Sequence, residues 1–365
     1  MNRVTSRSGI RIQPPPQSRP VEMPSLTTVS TNPGRHTDSA TAERDSQTLK
    51  LLDGRILGFA EYGSPKGKPV FFFHGFPSSR LEAEGILKIA PRKDLRIIAP
   101  ERPGFGLSTF KPHHRITDWP DDVRALATHL GIPRFAMLGG SGGAPYALAC
   151  ARALPAEMVS TVGLLAPAAP WREGRIGGVP YSSRITAFKA YYWPGALKVI
   201  SAGVIGLCRW LATTGFVARR IDGWLEAMVS KKNSSSASGS TASPSTISCD
   251  KKSTKETREA LIRTIFEPFR QGTAPMVRES QLLTWEGWGF PLNEVRHPKI
   301  LIWHGVDDGQ SPIAMVRDLA RELPQCELRE FEGETHFTLA RKQLGALLEE
   351  LVPEPREGGE CKNEM

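Results

Sequence analysis

The sequence predicts an α/β fold in which helices cover both faces of a mostly parallel central sheet and an inserted helical segment forms a cap. Short apolar runs recur along the chain and indicate strands that are buried on both faces. Helical stretches separate most of these runs, an alternation typical of parallel sheets. The alternation stops between about residues 171 and 297, where the chain is predicted to be mainly helical. The apolar runs are residues 69–75, 96–100, 134–138, 161–167 and 299–305.

The first two strands are predicted to form a hairpin. The segment TLKLLDGRILGFAEYG, which begins at Thr48, has Asp53-Gly54 near its centre. Asp-Gly is a strong hairpin signal because the turn needs residues that tolerate positive φ. We therefore expect two paired strands ahead of the parallel part of the sheet.

Three helices are predicted to pack on the sheet. Residues 121–131 end in a glycine suited to a helix C-cap, and residues 144–154 follow a glycine-rich turn. Residues 311–324 are predicted to be a helix and residues 326–331 a strand. The chain therefore makes one more crossover after the apolar run at 299–305.

The chain is predicted to divide into a core, a cap and two tails. Residues 46–168 and 296–352 form the core, and residues 169–295 form the helical cap, which carries a flexible, Ser-rich loop at 231–255. Residues 1–45 are rich in Pro, Ser, Thr and Arg and have few large apolar groups. They are predicted to be a disordered tail, as are residues 353–365.

The composition is typical of a moderately basic soluble enzyme. The 365 residues include 47 basic and 38 acidic side chains, a net charge of +9. Such a charge affects solubility and non-specific association rather than activity, and we expect no nucleic-acid partner. The five cysteines are scattered and include no C-x-x-C pair, which argues against a disulfide framework or a structural zinc site. We expect a reducing, cytoplasmic location, and no secretory signal is recognised near the start of the chain.

The most apolar stretch is residues 199–208, which lie between Lys198 and Arg209. Ten residues at about 1.5 Å each are too short to cross a bilayer. The stretch therefore predicts a buried or membrane-touching helix rather than a spanning one, and contact with a membrane surface stays open as an alternative.

Ser141 is the candidate nucleophile. It lies in GGSGG, residues 139–143, directly after the predicted strand 134–138 and before the helix at 144. This strand-turn-helix context gives the G-x-S-x-G pattern its meaning, because the sharp turn exposes the serine hydroxyl above the sheet. A serine also needs a base, an acid that orients the base, and donors for the developing oxyanion. The N–H of Gly142, at the start of the helix, is the first candidate donor.

The second oxyanion donor is expected in the loop after an earlier buried strand. The segment FFFHGFPSSR, residues 71–80, occupies that position, and it places Gly75 and Phe76 beside the site. The N–H of Phe76 is the candidate donor, and His74 is expected to shape this loop.

The motifs HGFP, ERPGFGLS, GGSGG, HGVDDGQSP and GETHF occur in this order, and together they resemble the α/β-hydrolase family. The resemblance covers roughly residues 48–170 and 296–350 and is strongest to capped serine esterases and to proline iminopeptidase-like members. It implies the order serine, acid, histidine. The acid is then Asp308, with Asp307 as the runner-up, and the base is His336. The implied mechanism needs no metal and no cofactor.

The predicted function is that of a serine hydrolase. Its substrate would be a small acyl compound: an apolar carboxylic ester or a related compound such as a thioester or lactone. A serine at position 141, where epoxide hydrolases and dehalogenases use aspartate, argues against those reactions. Three alternatives stay open: a lyase or cyclase with the same triad, a hydrolase of carbon–carbon bonds, and a binding protein without turnover.

The predicted cap is expected to set substrate choice. Its aromatic composition suits the lining of an apolar pocket, although packing of the cap's own core explains it almost as well. Residues 171–230 carry eight basic and three acidic residues. This scarcity of acids argues against a peptidase that must hold a free amino terminus. The predicted cap contains six tryptophans: Trp171, Trp193, Trp210, Trp224, Trp285 and Trp288.

Overall fold

The computed structural model describes residues 44–92, 94–171, 176–236 and 253–353. Nearly all of the predicted tails and most of the predicted loop 231–255 lie outside these residues. The described chain begins with Arg44 and Asp45, two residues before the predicted start of the core. Asp45 is held there because its carboxylate forms an ion pair with Arg263, with an N–O distance of 2.7 Å.

Eight strands form one sheet in the order β1-β2-β4-β3-β5-β6-β7-β8. β2 is antiparallel to both of its neighbours, and every pairing from β4 through to β8 is parallel. The mostly parallel sheet predicted from the apolar runs is therefore confirmed. The strands are β1 (Gln47–Lys50), β2 (Ile56–Gly63), β3 (Lys68–Phe73), β4 (Leu95–Pro100), β5 (Phe135–Gly140), β6 (Val159–Leu165), β7 (Ile300–Gly305) and β8 (Glu327–Phe331).

Ten α-helices accompany the sheet in the described part of the chain. Five of them, α4 to α8, come between β6 and β7 and make up the insert. The helices are α1 (Glu84–Ile89), α2 (Trp119–His129), α3 (Ala144–Ala153), α4 (Tyr181–Tyr192), α5 (Pro194–Thr213), α6 (Gly215–Ser236), α7 (Thr254–Phe266), α8 (Ala274–Leu283), α9 (Ile313–Glu322) and α10 (His336–Leu351).

The apolar runs form strands because both faces of the sheet are covered. On β3, Phe71 and Phe73 pack in the core cluster that contains α2 and α3. Val70 and Phe72 point the other way, into the cluster that contains α1 and α10. Successive side chains of a strand alternate between faces, so a strand buried on both sides is apolar throughout.

The predicted hairpin is present, since β1 and β2 pair antiparallel around a turn with Gly54 at φ +85°. The predicted loop 231–255 is wrong at both ends. Helix α6 continues to Ser236, because extending an existing helix through serines costs little per residue. Helix α7 begins at Thr254, because Ser253 and Glu256 form a capping box.

Candidate active site

Ser141 stands in a sharp turn between β5 and α3. Strand β5 ends at Gly140, residues Ser141–Gly143 form one 3-10 turn, and α3 starts at Ala144. Ser141 has φ +48°, a left-handed conformation that is strained for any residue with a side chain. Glycine is required at position 143 because a Cβ there would lie 2.1 Å from the carbonyl oxygen of Phe73.

The structure brings Ser141, His336 and Asp308 together. The hydroxyl of Ser141 is 3.0 Å from Nε2 of His336, and Nδ1 of His336 is 2.7 Å from Oδ2 of Asp308. The imidazole therefore lies between a hydroxyl and a carboxylate, as in a serine-nucleophile relay.

Adjacent strands carry the other two members of this relay to the same edge of the sheet. Asp308 lies in the turn after β7, and His336 follows β8 as the first residue of α10. β7 and β8 are parallel neighbours, so their carboxyl ends meet at one edge. Thr335 caps α10, with its hydroxyl accepting from the N–H of Thr338 at 3.3 Å, and this cap fixes the start of the helix that carries His336.

Asp308, and not its neighbour Asp307, faces His336. Asp308 is buried, and its second oxygen accepts the N–H groups of Gln310 at 2.7 Å and Ser311 at 2.9 Å. Burial raises the pKa of Asp308, but the hydrogen bond and charge of His336 and the N–H of Ser311 outweigh it and hold the pKa below its ordinary value. Asp307 is exposed to solvent.

Phe76 and Gly142 lie side by side next to the nucleophile. A Cβ at Gly142 would come within 2.7 Å of the Phe76 Cβ and 3.3 Å of the Phe76 nitrogen. Neither backbone N–H donates to another group in the described part of the chain. Two N–H groups are thus free to bind an oxyanion at this point.

Gly75, the third residue assigned to the oxyanion site, does not supply a free donor. It lines the cavity at Ser141, but its N–H donates to the carboxylate of Glu82 at 2.8 Å. Its carbonyl accepts from Arg102 at 2.9 Å. Gly75 is therefore a fixed point of the loop, and its neighbour Phe76 carries the available N–H.

Arg102, which was not singled out from the sequence, binds the backbone of the loop that contains His74 and Gly75. Its guanidinium donates to the carbonyls of His74 at 2.5 Å and Gly75 at 2.9 Å, and its Nε donates to Glu279 of α8 at 2.7 Å. Both charged side chains are fully buried. The ERPGFG motif that contains Arg102 could have drawn attention to this residue. Glu279 lies 177 residues further along the chain, in a segment with no motif that would indicate the contact.

His74 shapes the loop as expected. Nδ1 of His74 is 2.9 Å from the Gly75 carbonyl, and Nε2 accepts the N–H of Arg102 at 3.4 Å. Burial, together with the positive charge of Arg102, holds the pKa of His74 well below its ordinary value. The ring is therefore neutral near pH 7 and acts as a hydrogen-bonding spacer.

A cavity of about 410 Å³ opens at Ser141 and His336. Glu82, also missed by the sequence reasoning, places a carboxylate in its wall. Burial raises the pKa of Glu82, partly offset by hydrogen bonds from Ser78 and Gly75 and by the charges of Arg102 and His336. The lining residues are Gly75, Phe76, Pro77, Ser78, Glu82, Gly140, Ser141, Leu165, Ala166, Gln310, His336, Phe337 and Ala340.

The tryptophans of the insert do not line this cavity. Trp193, Trp210 and Trp224 are instead 59%, 62% and 55% exposed, so neither a pocket lining nor a cap core accounts for them. Composition alone could not separate an inward-facing from an outward-facing aromatic residue.

Comparison with known proteins identifies the class of protein that this fold and site define. The sequence profile of the alpha/beta hydrolase fold family matches residues 68–185. An esterase from Exiguobacterium antarcticum has the same fold, with a TM-score of 0.52 at 15% identity, and the match covers 84% of this chain and 99% of that one. The chain has the α/β-hydrolase fold.

Two curated relatives are more similar in sequence over shorter stretches. A proline iminopeptidase from Xanthomonas citri is 38% identical over 109 residues, which is 28% of this chain and 34% of that protein. A proline iminopeptidase from Arabidopsis thaliana is 33% identical over 122 residues, 32% of this chain and 31% of that protein. The chain thus spans about a third of the length of the curated relatives it matches.

Proposed function

We propose that the protein is a serine hydrolase that cleaves an apolar carboxylic ester or a related acyl compound, such as a thioester or lactone. The observation that carries the proposal is the continuous set of contacts from the Ser141 hydroxyl through His336 to Asp308, at 3.0 Å and 2.7 Å. Two free N–H groups beside the hydroxyl supply the remaining requirement for acyl transfer.

The first half of the reaction forms an acyl-enzyme. Ser141 Oγ attacks the carbonyl carbon while Nε2 of His336 takes the hydroxyl proton, and Asp308 stabilises the resulting imidazolium through Nδ1–H. The carbonyl oxygen becomes an oxyanion held by the N–H groups of Phe76 and Gly142. The carbon–oxygen bond of the ester then breaks, and His336 passes its proton to the leaving alcohol.

The second half returns the enzyme to its starting state. Water attacks the acyl carbon while His336 takes a proton from it, and the same two N–H groups bind the second oxyanion. The acyl–oxygen bond to Ser141 breaks, and Ser141 recovers its proton from His336. The two steps together consume one water and release one acid and one alcohol.

A fluorophosphonate probe tests the nucleophile without knowledge of the substrate. We expect intact-mass analysis to show one adduct on the wild type and none on Ser141→Ala, which should also hydrolyse p-nitrophenyl esters at least about 10⁴-fold more slowly. Labelling of the Ser141→Ala protein, or of neither protein when both are folded, would remove the assignment.

The two neighbouring aspartates provide a matched pair for the acid. Asp308→Asn should lower kcat by about 10⁴-fold, because the amide no longer favours the imidazole tautomer that accepts the serine proton. Asp307→Asn should leave kcat unchanged, because Asp307 is exposed and the hydrogen bond to His336 is made by Asp308. Equal losses in the two variants would contradict the relay.

Hydrolysis of an N-terminal residue from a peptide is the second candidate function. The sequence similarity to proline iminopeptidases favours it, and Glu82 supplies a carboxylate in the cavity wall where a substrate ammonium could bind. Parallel assays with p-nitrophenyl esters and proline p-nitroanilide separate the two functions. Turnover of the anilide alone would replace the esterase proposal while leaving the Ser141 relay intact.

A further inference from the structure

Helices α5 and α6 form an exposed apolar surface on the insert. Nine large apolar side chains of this hairpin are each at least 38% exposed. We call them the hairpin surface. Its members are Val199, Ile200, Val204, Leu207, Trp210 and Leu211 on α5 and Phe216, Trp224 and Met228 on α6. A soluble protein seldom leaves so many large apolar groups together in water without a partner for them.

Helix α5 is attached to the rest of the insert by its other face. Leu197 is buried against Ala190 of α4 and Val277 of α8, and the hydroxyl of Thr273 donates to the Lys198 carbonyl at 2.8 Å. Near the other end of the helix, the guanidinium of Arg209 lies over the ring of Phe266, 5.3 Å from its centroid.

Four of the exposed apolar residues of α5 follow a helical stripe. Ile200, Val204, Leu207 and Leu211 are spaced by four, three and four residues, which places them on one side of the helix. The helix therefore has a packed side and an unpartnered apolar side.

The charged side chains of α5 and α6 are mainly basic. Helix α5 contains Lys198 and Arg209 and no acidic residue, and α6 has four basic residues, Arg219, Arg220, Lys231 and Lys232, against the acidic Asp222 and Glu226. Lys198, Arg219 and Arg220 form no ion pair with any residue that the structure describes, whereas Asp222 of α6 is neutralised by Arg258. Two helices that carry both exposed apolar groups and unpaired cations match the surface of a bilayer that contains anionic lipids.

Aromatic side chains mark both ends of α5. Trp193 precedes the helix and Trp210 lies in its last turn, and both are more than half exposed. Tryptophan prefers the boundary between lipid headgroups and acyl chains, because its ring is apolar and its N–H is polar. The two rings are placed to sit at that boundary when α5 lies parallel to the membrane.

We propose that the hairpin surface binds the surface of an anionic lipid bilayer, with α5 in the plane of the headgroups. Helix α5 is long and apolar enough to cross a membrane, since it has 20 residues rather than the ten of its most apolar stretch. It lies flat because Leu197, Lys198 and Arg209 attach it along its length to the rest of the insert. A second copy of the chain is a poorer occupant, since a symmetric contact would bring the unpaired cations of both copies together.

Sedimentation of the full chain with vesicles tests the proposal. We expect binding to vesicles of phosphatidylcholine mixed with phosphatidylserine, and weaker binding to phosphatidylcholine alone. Replacing Ile200, Val204 and Leu207 together by serine should weaken binding roughly a thousandfold, because three apolar anchors are lost. Lys198→Gln with Arg219→Gln and Arg220→Gln should weaken it on the order of a hundredfold, and only on the anionic vesicles.

Leu52→Ser is the matched control, because Leu52 is fully exposed on the hairpin turn of the sheet and far in sequence from the insert. It should bind vesicles as the wild type does. Retained fluorophosphonate labelling and an unchanged circular dichroism spectrum would show that the triple serine variant is folded. Membrane binding and acyl transfer are separate properties, so failure of either one leaves the other standing.

Three results would overturn the proposal. The first is no sedimentation of the wild type with either vesicle, or sedimentation that the triple serine variant does not reduce. The second is a wild-type dimer in light scattering that the same variant converts to a monomer, which would make the hairpin surface an interface between two copies. The third is resistance of the bound protein to alkaline carbonate extraction, which would indicate a spanning helix.

Discussion

The insert contains two regions that differ in which side chains they bury and which they expose. Where α8 and the preceding 3-10 turn meet the core, charged side chains are buried: Arg102 pairs with Glu279, and Arg80 pairs with Glu267. On α5 and α6, large apolar side chains are exposed. The same inserted segment thus hides charges on one side and shows apolar groups on the other.

The two regions differ in their structural role. The desolvation cost of burying an ion pair is about as large as the attraction between its charges. Such pairs therefore fix geometry more than they add stability. Arg102 is an example, since one guanidinium binds two carbonyls of the loop after β3 and a carboxylate of α8. The buried polar region therefore fixes the insert relative to the site. The hairpin surface fixes nothing inside the protein.

Breaking the buried polar region should have the largest effect. Glu279→Ala leaves Arg102 buried and unpaired and removes the acceptor for the Tyr146 hydroxyl, which now donates to Glu279 at 2.6 Å. We expect the free energy of unfolding to fall by about 3–5 kcal/mol, measured by urea denaturation. Glu84→Ala, which removes an exposed partner of Lys88, should cost less than about 0.5 kcal/mol. Equal costs would mean that the buried pair holds nothing.

A smaller effect should follow from loosening the loop after β3 alone. Glu82→Ala leaves the N–H of Gly75 without its acceptor, so the neighbouring Phe76 N–H is held less firmly, and we expect kcat to fall by roughly ten- to a hundredfold. Glu82→Gln should recover most of this loss, because its amide oxygen can accept the same N–H. Both variants should leave KM for a neutral ester unchanged. If the carboxylate instead binds a substrate ammonium, Glu82→Gln will fail as badly as Glu82→Ala and KM for cationic substrates will rise.

Acid should lower the free energy of unfolding through the buried histidines His74 and His304, and not through the hairpin surface. The pKa of His74 is below its ordinary value in the folded protein, so below about pH 6.5 the unfolded chain takes up a proton that the folded chain refuses. The free energy of unfolding should then fall by about 1.4 kcal/mol for each pH unit of acidification below that point, until the folded pKa is reached. His304, whose pKa burial also lowers, adds a second contribution of the same sign.

Urea denaturation at pH 7.5 and about pH 5.5 measures this loss. His74→Asn should reduce the difference between the two pH values, and the triple serine variant of α5 should not change it. An unchanged difference in His74→Asn would show that His74 is protonated as readily when folded as when unfolded.

Much of the sheet and the position of Ser141 could be predicted from the sequence, because both depend on local signals. Buried strands give continuous apolar runs, and the turn at Ser141 needs small residues on either side. Asp308 and His336 were assigned through the resemblance to the α/β-hydrolase family and the residue order that it implies. The acid was harder to choose, since Asp307 and Asp308 differ in burial and not in residue type. The Arg102–Glu279 contact joins residues 177 positions apart, and no pattern in either segment announces it.

The insert was the least predictable region. Tryptophans such as those of α5 and α6 are typical of a pocket lining. Whether they face inward or outward depends on which face of the helix is buried, and on α5 that face is the one with Leu197. Glu82 lines the cavity from a single 3-10 turn, residues Arg80–Ala83, which is too short to show a periodic pattern in the sequence.

The pairing of β6 with β7 has a consequence for how this architecture can change. Leu165 lies opposite Trp303, so the chain leaves the sheet and returns to it on neighbouring strands, although the whole insert lies between them. The entropy of closing such a segment rises only slowly with its length. The insert is therefore an exchangeable module. Descendants can lengthen, shorten or replace it, and with it the surface that the protein presents, while Ser141, Asp308 and His336 keep their places at the edge of the sheet.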